Sequence, residues 1–277
     1  MVCRVIDYSV FRNKIEIVYS KLNQTNMIAT QYIKSTTSKP KPFEDYEVIN
    51  VLKWNNSKWK SLCPYYLKTD GLEKCTNPGN ILFENFYQGL KVYDIVYQNS
   101  VYPSRFHTGK PEHLWWKFEP VNESGDILVE NDTINYDLYF RWRDDLWNCQ
   151  KPIRYPNQIH RKNKVKFGLC IDNSGNETRM NYLSLRKSMY MTEYIRLVRK
   201  LPEYAKLLNK LKQGKNIMIC EVDVPANSKK GDYGLDCNSD NVCVLSMNKV
   251  VSLLKDTSEP FGHGLCLAYA LFEDLEV

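Results

Sequence analysis

Apolar residues at positions 82, 83, 86, 87, 90 and 93 recur close to every 3.6 residues, which predicts a helix over 81–93 with Asn80 as its N-cap. A longer stripe of Leu183, Met189, Tyr190, Tyr194, Leu197 and Val198 predicts a helix over 181–200, and a second over 202–213 is stopped by Gly214. Tyr136–Trp147 predicts a short helix, and Met247–Leu254 with Gly264–Leu275 predict two closing helices. Strand-like runs fall at Cys3–Val10, Lys14–Tyr19, Val48–Trp54, Ile153–Tyr155 and Val165–Cys170, with a fully apolar run at Ile217–Val222. Polar, Pro-broken residues 35–45, the Asp70-Gly71 turn, acidic residues 119–135 and the Gly/Asn/Lys-rich stretch 226–241 read as loops. No internal repeat appears. The mixture predicts one compact α+β domain over 56–277, with residues 1–55 as an N-terminal elaboration.

Composition narrows the class. Of 277 residues, 43% are hydrophobic and 25% charged, an ordinary globular balance. Aromatics reach 13%, including 19 Tyr and 6 Trp; core packing absorbs most of them, but such rings also line pockets for flat ligands such as nucleobases. A net charge of +6 is too mild for a dedicated DNA binder and suits a polyanionic small ligand or a transient nucleic-acid encounter. No run approaches the length of an apolar membrane span, and the N-terminus lacks the apolar core of a signal peptide, so neither a membrane partner nor export is expected. Nine scattered cysteines with no C-x-x-C pair favour reduced thiols in a cytoplasmic compartment. The sequons at Asn23, Asn55, Asn122, Asn131 and Asn176 are then a by-product of Asn-rich composition.

Several groupings can carry chemistry. Glu84, Gln88 and Lys91, spaced by four and three, share one helical stripe flanked by Phe83, Phe86 and Tyr87. A carboxylate there can orient water or stabilise positive charge on a sugar ring; a solvated helix face explains the same spacing. Gly262, His263 and Gly264 precede an apolar helix, where backbone N–H groups can approach an anion and His263 can donate to it. A tight turn between packed elements needs the same glycines. Glu221 and Asp223 lie on one side of the strand that ends at Pro225. Arg105, His107, Arg154, His160, Arg161 and Arg186 are each suited to a phosphate or to a surface ion pair. Cys220, Cys237, Cys243, His263 and Cys266 have no finger-like spacing, so no metal and no other cofactor is expected. Cys266 with His263 reads as core rather than as a nucleophilic pair, and no P-loop, H-E-x-x-H or G-x-S-x-G motif occurs.

In order along the chain, Leu62–Gly71, then Glu84, Gln88 and Lys91, then Leu207–Lys215, the strand to Asp223 and Phe261–Gly264 resemble the NADAR (YbiA-like) family pattern over residues 60–95 and 185–277. Two departures are Phe261 where that family has Trp and a missing Asn-Leu-Gly step. The resemblance implies a YbiA-like α+β fold with an insertion at about 100–180. It also implies metal-independent N-glycosidase chemistry on ADP-ribose-like or nucleotide-linked ribosides. On that reading Glu84 is the carboxylate near the anomeric carbon and Asp223 assists water. Gln88 and Lys91 position ribose or phosphate, and Gly262, His263 and Gly264 hold phosphate, with Arg154 and Arg186 as further substrate contacts. Two alternatives stand beside it: a non-catalytic binder of nucleotides or nucleic acid, and a host-interaction protein on an old enzyme fold whose 100–180 insert is an interface.

Overall fold

The computed structural model describes residues 27–33, 39–52, 57–71, 75, 79–96, 126–127, 129–152, 164–224, 237–257 and 261–276. The expected strands at 3–19 and at Ile153–Tyr155 lie outside the described residues, as do Arg105, His107, Arg154, His160, Arg161 and most of 226–241. In chain order the first elements are β1 (Ile28–Tyr32), β2 (Glu47–Asn50), α1 (Phe83–Gly89), β3 (Lys91–Val92) and β4 (Ile95–Val96). Then come β5 (Asp126–Ile127), β6 (Val129–Glu130), β7 (Thr133–Ile134), α2 (Tyr136–Asn148), β8 (Phe167–Ile171) and β9 (Glu177–Met180). A single helical run follows: α3 (Tyr182–Leu185), a π-helical segment (Arg186–Met191) and α4 (Thr192–Val198). The chain closes with α5 (Pro202–Lys212), β10 (Ile217–Glu221), β11 (Val242–Val244), α6 (Met247–Lys255) and α7 (His263–Leu275). The protein is of the α+β class.

The main sheet has the order β11-β1-β10-β2, with β1, β10 and β2 parallel and β11 antiparallel at one edge. An internal strand covered on both faces should read as a continuous apolar run, and all five residues of β10 are buried. Alternation then divides the sheet. Ile28, Ile49, Ile217 and Ile219 join the large core, whereas Ala29, Met218 and Cys220 join a second cluster with Tyr46, Leu52 and Val242. Helix α7 lies against β1 and β10 and is itself packed by α4, α5 and α6. Leu265, Cys266, Leu267, Ala268, Ala270 and Leu271 are fully buried, as a helix surrounded by other elements requires. Residues 28–50, read from sequence as part of an N-terminal elaboration, supply two strands of this sheet. Trp142, Leu146 and Leu169, from the expected insertion, lie in the large core.

A second sheet, β3-β8-β9, holds α1 against α2. The helix expected over 81–93 is shorter than its apolar period. Asn80 adopts a left-handed φ of 58° and accepts a hydrogen bond from Lys68 instead of capping. At the other end Lys91 and Val92 pair with Gly168 and Phe167, so strand pairing ends the helix although the spacing continues. Packing at this end is close. Tyr139 Oη donates to Gly89 O at 3.1 Å, and a Cβ on Gly89 would stand 2.4 Å from Trp147 Nε1. Gly89→Ala gains about 1 kcal/mol of helix propensity, but the overpacking costs about 1–3 kcal/mol. A net loss of stability in denaturant titration is expected, and a rise would show that Trp147 is not seated against α1.

Cys237 and Cys243 are disulfide-bonded across an antiparallel bridge, which corrects the expectation of reduced thiols throughout. Cys63, Cys75, Cys149, Cys170, Cys220 and Cys266 are free and buried. Among the described residues no helix is long and apolar enough to cross a membrane.

Candidate functional site

The stripe on α1 is buried, not solvated. Glu84, Gln88 and Lys91 are 7%, 4% and 8% exposed, and they form a chain of side-chain hydrogen bonds. Gln88 Nε2 donates to Glu84 Oε1 at 2.7 Å, and Lys91 Nζ donates to Gln88 Oε1 at 3.0 Å. The Lys91 ammonium also lies 4.4 Å from the Tyr87 ring centroid, a cation–π distance. The start of α1 is tied to the Pro-containing segment before it, with Phe83 N donating to Leu67 O and Glu84 N to Pro64 O. Asn85 fixes the opposite face by donating to Cys149 O and Lys151 O. A buried carboxylate is costly unless its charge is balanced and hydrogen-bonded. Among the described residues no Lys or Arg lies within ion-pair distance of Glu84, so the amide of Gln88 carries the link to the Lys91 cation.

A run of rings connects this stripe to the start of α7. Tyr87 and Tyr190 have centroids 4.6 Å apart, Tyr190 and Tyr194 are parallel within 12° at 6.4 Å, and Tyr194 meets the His263 ring at 6.1 Å. Phe83 packs on both tyrosines of the helical run, and Tyr194 Oη donates to Leu62 O at 2.6 Å. Burial first, then the Glu84 charge, then Cys266 and Glu221, push the Tyr190 phenol well above its usual range. The segments 80–91 and 260–266, far apart in sequence, therefore act on one tyrosine. Tyr190 sits in the π-helical turn, a widening often found at functional sites.

Arg186, on the same turn, is 2% exposed. Its Nη1 donates to Leu254 O at 3.3 Å and to Asp256 O at 2.5 Å, where α6 ends, and its guanidinium lies 5.0 Å from the Tyr182 ring and 5.8 Å from Phe261. It thus satisfies carbonyls left open at a helix C-terminus, a position that favours a cation. That is a bracing role for a residue expected to contact substrate.

The glycines before α7 also have a packing role. Glu221 ends β10 with its side chain buried, and its Oε2 lies 2.5 Å from His263 Nδ1. Oε1 accepts from Val222 N at 2.7 Å and Asp223 N at 3.5 Å, and Oε2 from Gly264 N at 3.4 Å. Gly262 N donates to Asp223 O at 2.9 Å. The anion at this helix N-terminus is therefore the protein's own Glu221 carboxylate, and a phosphate held by Gly262–Gly264 would compete with it. A Cβ at Gly262 would come within 2.8 Å of Asp223 Cβ and O, and one at Gly264 within 3.1 Å of Glu221 Cβ and Ile219 Cγ2. The glycines let α7 close on the end of β10.

His263 is held at both nitrogens, with Nε2 3.0 Å from Val51 O. Acceptors on both sides leave the ring with two protons. Burial opposes that charge, but the Glu221 carboxylate and, more weakly, Cys63 hold the imidazole well above its ordinary value. Burial likewise opposes the charge on Glu221, and the His263 cation with two backbone N–H groups outweighs it, leaving the carboxyl below its ordinary value. Glu221, rather than Asp223, is the carboxylate that meets the turn; Asp223 is half-buried beyond the strand. The signal was one charged residue inside an otherwise apolar strand, which in a buried position implies a partner. Among the described residues no cluster of three or more His, Cys, Asp and Glu side chains is placed to hold a metal ion. Comparison of the chain with known protein families, characterised proteins and solved structures finds no match.

Proposed function

We propose that the protein hydrolyses the N-glycosidic bond of an ADP-ribose-like or nucleotide-linked riboside, with Glu84 as the carboxylate at the reacting sugar. The observation that carries this is the buried Glu84–Gln88–Lys91 chain beside Tyr87. Gln88 occupies Glu84 Oε1, and among the described residues Oε2 takes no hydrogen bond. That oxygen serves to orient a water or to stabilise positive charge as the C–N bond lengthens, and low-dielectric surroundings strengthen either effect. Water adds to the anomeric carbon, the bond to the base breaks, and the base departs with its electron pair and takes up a proton. Tyr87 offers a ring for a flat base, and Lys91 a cation for ribose or phosphate oxygens. Arg186, Glu221 and His263 brace the wall behind these groups, and the order of motifs shared with NADAR proteins points to the same chemistry.

The test is incubation of the protein with ADP-ribosylated nucleobases, ADP-ribosylated proteins and free nucleotides, with released base and ADP-ribose followed by mass spectrometry. Release from at least one class is expected. Salt-dependent binding with no release from any class would replace this reading with that of a non-catalytic nucleotide binder.

A further inference from the structure

We propose that Cys75 and Cys170 are a thiol pair that closes to a disulfide under two-electron oxidation, tying the chain between Gly71 and Gly79 to β8. The inference is independent of the hydrolase reading. Both cysteines are free and almost fully buried, at 2% and 3% exposure, and come from segments 95 positions apart in sequence. The Cys170 thiol donates to the Cys75 sulfur, which also accepts from the Ile171 backbone N–H and lies within electrostatic reach of the Arg143 guanidinium. On its other side the Cys170 sulfur is 3.8 Å from Met189 Sδ. Two cysteines serving only as small hydrophobes need neither an N–H donor nor a nearby cation.

The two thiols are unequal. The hydrogen bond from Cys170 works against burial and, with Ile171 N–H and Arg143, holds the Cys75 thiol below its ordinary value. That same contact, then burial, pushes Cys170 up. This is the arrangement of an attacking thiolate and a resolving thiol. With hydrogen peroxide as oxidant, the Cys75 thiolate attacks one oxygen, the O–O bond breaks, and the hydroxide released takes up a proton to leave as water. Cys75 is then a sulfenic acid. The Cys170 sulfur attacks it, forming the S–S bond and releasing a second water with the Cys170 proton. Two thiols and one peroxide thus yield one disulfide and two waters. The bond would join the segment that leads into α1 to the strand that pairs with β3, on either side of Glu84 and Lys91.

The experiment exposes the native protein to hydrogen peroxide, alkylates the remaining thiols in denaturant and maps peptides without reduction. A cross-linked peptide containing Cys75 and Cys170 is expected, with two fewer alkylated thiols and full reversal by dithiothreitol, while the Cys237–Cys243 link is unchanged. In Cys170→Ser a dimedone adduct should accumulate at Cys75. Because the first readout uses the wild-type chain, a misfolded variant does not blunt it. The proposal is overturned if Cys75 and Cys170 stay alkylatable at peroxide levels that oxidise other cysteines, or if Cys75 pairs elsewhere.

Discussion

His263→Ala should destabilise the protein by about 3–5 kcal/mol, because it leaves a buried carboxylate without its cation. Glu221 is 2% exposed, and its remaining donors are backbone N–H groups at 2.7–3.5 Å. They hydrogen-bond the charge but cannot neutralise it. Glu221→Gln should cost less, since His263 can then shed a proton and keep its contact with Val51 O. The double change to uncharged residues of similar size should recover part of the loss, as replacing a whole buried pair does elsewhere. Denaturant titration of the four proteins measures these differences. Equal stability of His263→Ala and wild type would mean that the pair is hydrated in solution.

The same pair fixes a pH dependence. Glu221 is depressed below its ordinary 4.5, so its contribution is complete above that value and is lost as pH falls through the folded-state value. His263 is raised above its ordinary 6.5, so its contribution is complete below that value and is lost as pH climbs through the folded-state value. The stability difference between wild type and His263→Ala should be greatest between pH 4.5 and 6.5 and decline on both sides. A difference that keeps growing above that window would assign the effect to another group.

Glu84→Gln should lower hydrolysis by about 10²- to 10⁴-fold while leaving the fold intact. The amide has the shape of the carboxylate, its oxygen can still accept from Gln88 Nε2, and burying a neutral group in place of a charge removes a desolvation cost. Stability should therefore hold or rise. A group that acts on charge developing at the anomeric carbon affects the transition state more than the bound substrate, so the loss should fall on kcat with KM little changed. Lys91→Met, which removes a cation proposed to meet ground-state oxygens, should instead raise KM. Unaltered turnover of every ribosyl substrate by Glu84→Gln would remove Glu84 from the chemistry.

Helix boundaries show where the reading of positions 81–93 stopped. Both α1 and β3 present apolar residues to the same core, so the 3.6-residue spacing ran on past Gly89. Only the pairing of Lys91 with Gly168, 77 positions away, ends the helix there. The stripe of Glu84, Gln88 and Lys91 was visible as spacing, yet the same spacing described an exposed face equally well. Burial decided it, and burial comes from α2, β8 and the helical run, which local sequence does not specify. The acid in Ile217–Glu221 and the histidine between two glycines were each visible, but their pairing required β10 and α7 to meet.

Apolar periodicity and breakers were enough to place most described helices, the central strand and the α+β class, because they record which side of a segment avoids water. Tertiary structure alone decided that Glu221 fills the N-terminus of α7, that Glu84 is buried, and that Cys75 faces Cys170. Such pairings depend on which distant element covers a given face, and a local pattern contains no term for that.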